Sequence, residues 1–187
     1  MPSLRAFLEW LAATPWSIAL LESRYVWPLV ESTHVLTLAL FVGTAAMNDL
    51  RLLGITLMRA PASDVTGRLL RVTRRAFAVM VTTGLLLFYS NPVHYYHNVF
   101  FRIKLLLLIV AGLNVWLFHG RIHRRVTQWD LDPVPPRAAR VAGAVSLLAW
   151  AAIVVAGRMI AYNWFDCELQ PQRAFVNWAA GCVAGEH

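Results

Sequence analysis

Four apolar stretches dominate the chain: Val26 to Met47, Ala76 to about Tyr95, Phe100 to His119, and Val141 to about Phe165. Each is close to the roughly 20 residues that carry a helix across about 30 Å of hydrocarbon. A chain of 187 residues cannot bury that much apolar surface inside one small globule, because its surface is too large for its volume. Only 14% of its residues are charged, against the quarter or so of an average soluble domain. The expected fold is all-α and integral to a membrane, a bundle of four transmembrane helices over residues 26–165.

Local signals fit these spans. Pro28 falls in the first turn of span one, where a missing N–H costs nothing. Asn91-Pro92 and a short aromatic segment join spans two and three, predicting an antiparallel hairpin. Arg102 and Lys104 sit near the start of span three, and Arg158 interrupts span four.

The loops set the orientation. Residues 48–75 carry Arg51, Arg59, Arg68, Arg71, Arg74 and Arg75 against Asp49 and Asp64. Residues 120–140 carry Arg121, Arg124, Arg125, Arg137 and Arg140 against Asp130 and Asp132. Eleven of the 17 basic residues thus lie on one side, which is expected to be cytoplasmic. The net charge of +7 therefore reads as membrane topology, and nucleic acid is not an expected partner. Both termini should lie outside a bacterial inner membrane.

Residues 1–25 form a separate segment. Leu4, Phe7, Leu8 and Leu11 recur at helical spacing, with Arg5 and Glu9 off that face. Thr14-Pro15 marks a cap and the first turn of a second short helix. Glu9 and Pro15 spoil the apolar core that a signal peptide needs. The expectation is an amphipathic helix lying on the outer surface of the bilayer. At the other end, Cys167 and Cys182 fall in the tail 166–187, on the side that permits disulfides. A bridge closing a loop of about 15 residues would contribute roughly 3 kcal/mol.

Ionisable groups within a span are costly and mark candidate sites. Glu31 and His34 share one face of span one, and the stripe continues through Thr37 or Leu38, Phe41, Thr44 and Asn48. His34 lies about 12 Å below the outer end of its helix, and Arg158 about 10 Å. Lys104 is somewhat shallower, and Glu31, His34, Lys104 and Arg158 occupy the same outer third of the bilayer on three helices. One reading is structural, with Glu31 and Arg158 neutralising each other and Lys104 and Arg102 snorkelling. The other makes His34 an axial ligand to haem b, with Arg158 or Lys104 near the propionates. His119 lies too deep to share that haem, and Met159 sits at a suitable depth on span four. No second intramembrane histidine matches His34, unlike a bis-histidine cytochrome. A copper-handling reading uses His34, His94, His97 and Met159. His119 and His123 have metal-ligand spacing within a basic patch, and Asn114 beside Ala111 and Gly112 suits interhelical hydrogen bonding.

Several phrases carry a resemblance. They are Glu31-Ser-Thr-His34, Asn48-Asp49-Leu50-Arg51-Leu52-Leu53-Gly54, Thr83-Gly84-Leu85-Leu86-Leu87-Phe88, the run from Asn98 through Lys104 to Asn114 and His119, and Gly157-Arg158-Met159-Ile160-Ala161-Tyr162. Together they resemble an uncharacterised family of bacterial four-helix membrane proteins, known only as a domain of unknown function. More distantly, the layout is similar to copper-resistance D proteins and four-helix b-type cytochromes, which implies haem or copper. The expected function is a membrane redox subunit passing electrons between a periplasmic redox protein and quinone through haem b. The alternatives are a copper-handling protein, or a cofactor-free anchor or assembly subunit of a larger membrane complex.

Overall fold

Thr14 and Pro15 divide the N-terminal segment into two helices, α1 (Pro2–Ala12) and α2 (Pro15–Leu21). They are seen in the computed structural model of the chain, which describes residues 2–118, 129, 134–165, 167 and 173–182. The Thr14 hydroxyl accepts from the Ser17 N–H at 3.4 Å, capping α2 at a proline-started turn. Six further helices follow among the described residues: α3 (Val26–Leu53), α4 (Ala62–Ser90), α5 (Pro92–His97), α6 (Val99–Leu117), α7 (Arg137–Ile160) and α8 (Ala174–Ala180). Of these, α3, α4, α6 and α7 are long and apolar enough to cross a membrane.

The boundaries differ from expectation in instructive ways. α4 begins at Ala62, fourteen residues before the expected start at Ala76. Charge hid this stretch, yet its arginines are good helix formers. Ala62, Val65 and Thr66 are buried while Arg68, Arg71 and Arg75 point outward, so the segment is amphipathic. α3 continues past Met47 until Gly54 ends it in the left-handed region, at φ 80°. A side chain there would also press on the Pro135 ring, 3.2 Å from the Cβ position. α7 stops at Ile160, five residues short of the expected end.

The N-terminal pair docks on the end where α4 meets α5, called here the capped end. Thr14 and Tyr89 share a hydroxyl–hydroxyl bond of 2.7 Å, and the buried Ser17 hydroxyl donates to the Tyr89 carbonyl at 2.8 Å. Phe7, Trp10 and Trp16 stay exposed. The opposite, arginine end is closed by an apolar cluster of Leu52, Ala62, Phe118, Trp129, Ala139 and Ala142. There Arg51 is buried, and its guanidinium donates to the Ala60 carbonyl at 3.1 and 3.3 Å.

Between the two ends, α3 packs on α4 and on α7, and α7 packs on α6. The core is Phe41, Ala76, Met80, Ala111, Ala149, Trp150 and Ile153, with the Phe41 and Trp150 rings edge-on at 4.5 Å. Polar rungs supplement this packing. Thr66 donates to Asn48 at 2.8 Å and Thr73 to Thr44 at 2.8 Å, tying α4 to α3. Asn114 donates to the Ala142 carbonyl at 2.9 Å, tying α6 to α7 as its interhelical reading expected. α4 and α6 meet through stacked Phe88 and Phe101 rings at the capped end, 5.6 Å apart. They are otherwise not a packed pair, so the bundle is open along one seam.

The tail returns to the capped end. Cys167 and Cys182 are joined by a disulfide, with Cα atoms 5.4 Å apart. Arg102 does not snorkel outward. Its guanidinium donates to the Ala179 and Ala180 carbonyls at 2.6 and 3.2 Å, where α8 leaves its last carbonyls unpaired, and to the Tyr96 carbonyl at 3.0 Å. Gly181, at φ 73°, leaves room for this contact; a Cβ would come within 2.9 Å of Nη2. Arg102→Ala is expected to free the tail while the bundle stays folded. Losing charge-assisted bonds of about 1.5 kcal/mol or more should raise tail proteolysis roughly tenfold. An unchanged cleavage rate in the disulfide-intact protein would contradict this.

Candidate functional site

The open seam between α4 and α6 leads into a cavity of about 870 Å³, within the range of small-molecule and cofactor sites. α3, α4, α6 and α7 all contribute to its walls. Phe41, Leu38, Leu105, Leu108, Phe77 and Trp150 make its middle apolar. Thr73 and Arg74 of α4 line the stretch between its ends, and the other polar groups gather at the two ends. His34 and Lys104 lie toward the capped end, and Asn48, Asp49, Thr66, Asn114 and Ser146 toward the arginine end.

Among the described residues His34 is the one histidine in the lining. Its Nδ1 lies 3.0 Å from the Met80 carbonyl and 3.1 Å from the Thr83 hydroxyl. A carbonyl only accepts, so Nδ1 carries the proton and donates to Met80. Nε2 is therefore left as an acceptor, and no described residue bonds it. Gly84 makes this placement possible. A Cβ at Gly84 would stand 3.1 Å from the imidazole Cε1, so α4 can approach α3 at this level only with a glycine. The sequence signal was present in Thr83-Gly84, one turn beyond Met80, though its purpose was not legible without the neighbouring helix.

Lys104 reaches across from α6 toward α7. Its Nζ lies 3.8 Å from where a Gly157 Cβ would be, so Gly157 clears space for the amine. No described residue offers Nζ a hydrogen bond or an ion pair.

Glu31 and Arg158 do not join this site. Both are exposed, and no ion pair joins them. Arg158 turns to its own i+4 neighbour, donating to the Tyr162 hydroxyl at 3.4 Å and lying over that ring at 5.3 Å. Glu31 faces α5. Burial first, and the Glu31 charge second, push the Tyr95 phenol above its ordinary value. The expected convergence of Glu31, His34, Lys104 and Arg158 is thus corrected to His34 and Lys104. Matched depth does not imply a shared face, and a long side chain near a helix end can turn outward.

The residues of the copper reading are dispersed. His94 is exposed, Met159 lies off the cavity lining, and His97 lies 3.1 Å from the Ala180 carbonyl in the tail contact. Among the described residues no three His, Cys, Asp or Glu side chains are grouped to hold a metal ion. His119 and His123 lie outside the described residues.

Among known proteins, a family model whose description is "Family of unknown function (DUF6644)" matches residues 23–163. No curated protein and no solved structure matches the chain.

Proposed function

We propose that this chain, which belongs to the family of unknown function DUF6644, is a multi-pass redox subunit of a bacterial inner membrane that holds haem b in its cleft. The observation that carries this reading is the contact of His34 Nδ1 with the Met80 carbonyl at 3.0 Å. A metal-binding histidine typically donates its other ring N–H to a backbone carbonyl, which fixes the ring and leaves one nitrogen free. His34 has this arrangement, with Nδ1–H on Met80 and Nε2 unbonded by any described residue at a largely apolar cavity.

The residues present fit such a group. His34 would ligate it, and the Lys104 ammonium, with no acceptor among the described residues, would face a propionate. Haem supplies a one-electron couple when bound. The single histidine departs from the paired ligands of four-helix b-type cytochromes, so the likeness to them extends to layout alone. The proposed partners are a periplasmic redox protein at the capped end and quinone in the lipid. The lateral opening between α4 and α6 faces the side from which a lipid-soluble molecule would arrive.

Two measurements test the proposal. A reduced-minus-oxidised absorption spectrum of detergent-purified protein is expected to show haem b near one per chain; a colourless protein would refute the haem assignment. The orientation rests on the arginine asymmetry. Cysteines placed at Thr56 and Ser63 are expected to resist an impermeant thiol reagent in intact cells, whereas one at Ser23 should react. Reversed labelling would invert the topology.

A further inference from the structure

The arginine end of the cleft holds a feature that the His34 site does not use. Asp49 on α3 is 5% exposed, lines the cavity, and keeps its Oδ2 buried without a hydrogen-bond partner among the described residues. Ser146 of α7 lines the same end of the cavity, and no described residue is bonded to Oδ2. A buried carboxyl oxygen left unpaired is costly in any protein interior, and more so beside hydrocarbon. Its cost falls when a ligand supplies the missing bond.

Position narrows the ligand. Fifteen residues separate His34 from Asp49 along α3, or about 22 Å at helical rise, so this is a second site in the same cleft. The walls between the two are mostly apolar, with Thr73 and Arg74 of α4 as polar members, and the seam beside them opens between α4 and α6. Gly112 of α6 lines this stretch, and a Cβ there would meet open space. A molecule that fits has a long apolar part entering through the seam and a compact polar head against Asp49. The head must also match Oδ2 in either protonation state. An ionised carboxylate accepts from a hydroxyl, and a carboxylic acid donates to a carbonyl. The quinol and quinone forms of one ring present those two groups.

We infer that the Asp49 end of the cleft, with Ser146 and the Asn48–Thr66 pair around it, is a head-group site for a membrane quinone. The inference deepens the quinone-linked reading and is independent of the haem assignment at His34. It concerns binding alone.

The test uses full-length protein in detergent and a decyl-tailed benzoquinone, with binding followed by quenching of tryptophan fluorescence, since Trp150 lines the cleft. Asp49→Leu is expected to raise Kd about tenfold or more, the size of a buried hydrogen bond left unmade. Asp49→Asn keeps the shape and should be milder. Gly112→Trp starts from a Cβ that meets nothing within 4 Å, puts a ring into the open stretch, and is expected to abolish saturable quenching in a protein of unchanged helicity. His34→Ala should leave Kd within about twofold of the parent, which separates this site from the haem reading. The inference is overturned if Asp49→Leu and Gly112→Trp both leave Kd unchanged. Equal displacement of the quinone by a decyl chain bearing no ring would overturn it too, as would cross-linking that shows a second copy of the chain closing the seam.

Discussion

Replacing His34 with alanine is expected to remove nearly all bound haem b from the purified protein while leaving its helix content unchanged. Among the described residues no other histidine lines the cleft, so none of them can substitute for it. Disturbing a residue that merely orients a metal ligand costs about 10- to 100-fold in affinity, and removing the ligand itself should exceed that. The structural penalty is small by comparison. The Thr83 hydroxyl already donates within α4, to the Val79 carbonyl at 2.8 Å, and does not depend on His34. Gly84→Leu supplies an independent route to the same result. Its Cβ would crowd Cε1 at 3.1 Å and push the ring off its position, though the ligand is still encoded. Lys104→Ala should retain haem but release it faster on dilution. Full haem occupancy in His34→Ala would sink the assignment, and so would an unperturbed spectrum in Gly84→Leu.

The spans were legible because lipid imposes length and hydropathy on the sequence, and the four long helices fall where those demands are met. The tail disulfide was legible from compartment and spacing. Less of the site could be read. Depth along each helix follows from residue number at a fixed rise, which brought His34 and Lys104 correctly to one level. The direction of each side chain around its helix depends on which neighbour lies where. The short connection between α4 and α6 led to an expected hairpin of those two helices, whereas in the structure α3 is flanked by α4 and α7 while α4 and α6 stay apart. Arg158 was therefore placed inside on depth alone and Glu31 on the face it shares with His34, and the structure leaves both exposed. Arg102 was misread for a related reason: its partners are the carbonyls of a short helix nearly eighty residues away. Asp49 was counted only as loop charge, since the helix was expected to end at Met47. Once α3 runs to Leu53, the same residue becomes a buried carboxyl facing the cleft.

The close approach of α7 to that carboxyl leads to the largest expected loss of stability. A Cβ at Gly143 would stand 2.9 Å from the Asp49 carbonyl oxygen and 3.1 Å from the Leu52 Cβ. The first of these atoms is backbone within a helix, so it cannot swing aside as a flexible side chain would. Gly143→Leu must therefore separate α3 from α7, and that seam is what holds the two halves of the bundle together while α4 and α6 remain unpacked. Overpacking a filled interior commonly costs 1–3 kcal/mol, and a clash with main chain should reach about 3 kcal/mol or more. Gly43→Leu on α3 is the matched control, because a Cβ there meets nothing within 4 Å. Replacing a mid-helix glycine at an open position should be neutral or stabilising by up to about 1 kcal/mol. Thermal unfolding in one detergent is expected to place Gly143→Leu well below the parent and Gly43→Leu at or above it. Equal midpoints for the two variants would mean that α3 and α7 are not in contact at this level. The position of Asp49 in the cleft, which depends on that contact, would then have to be abandoned as well.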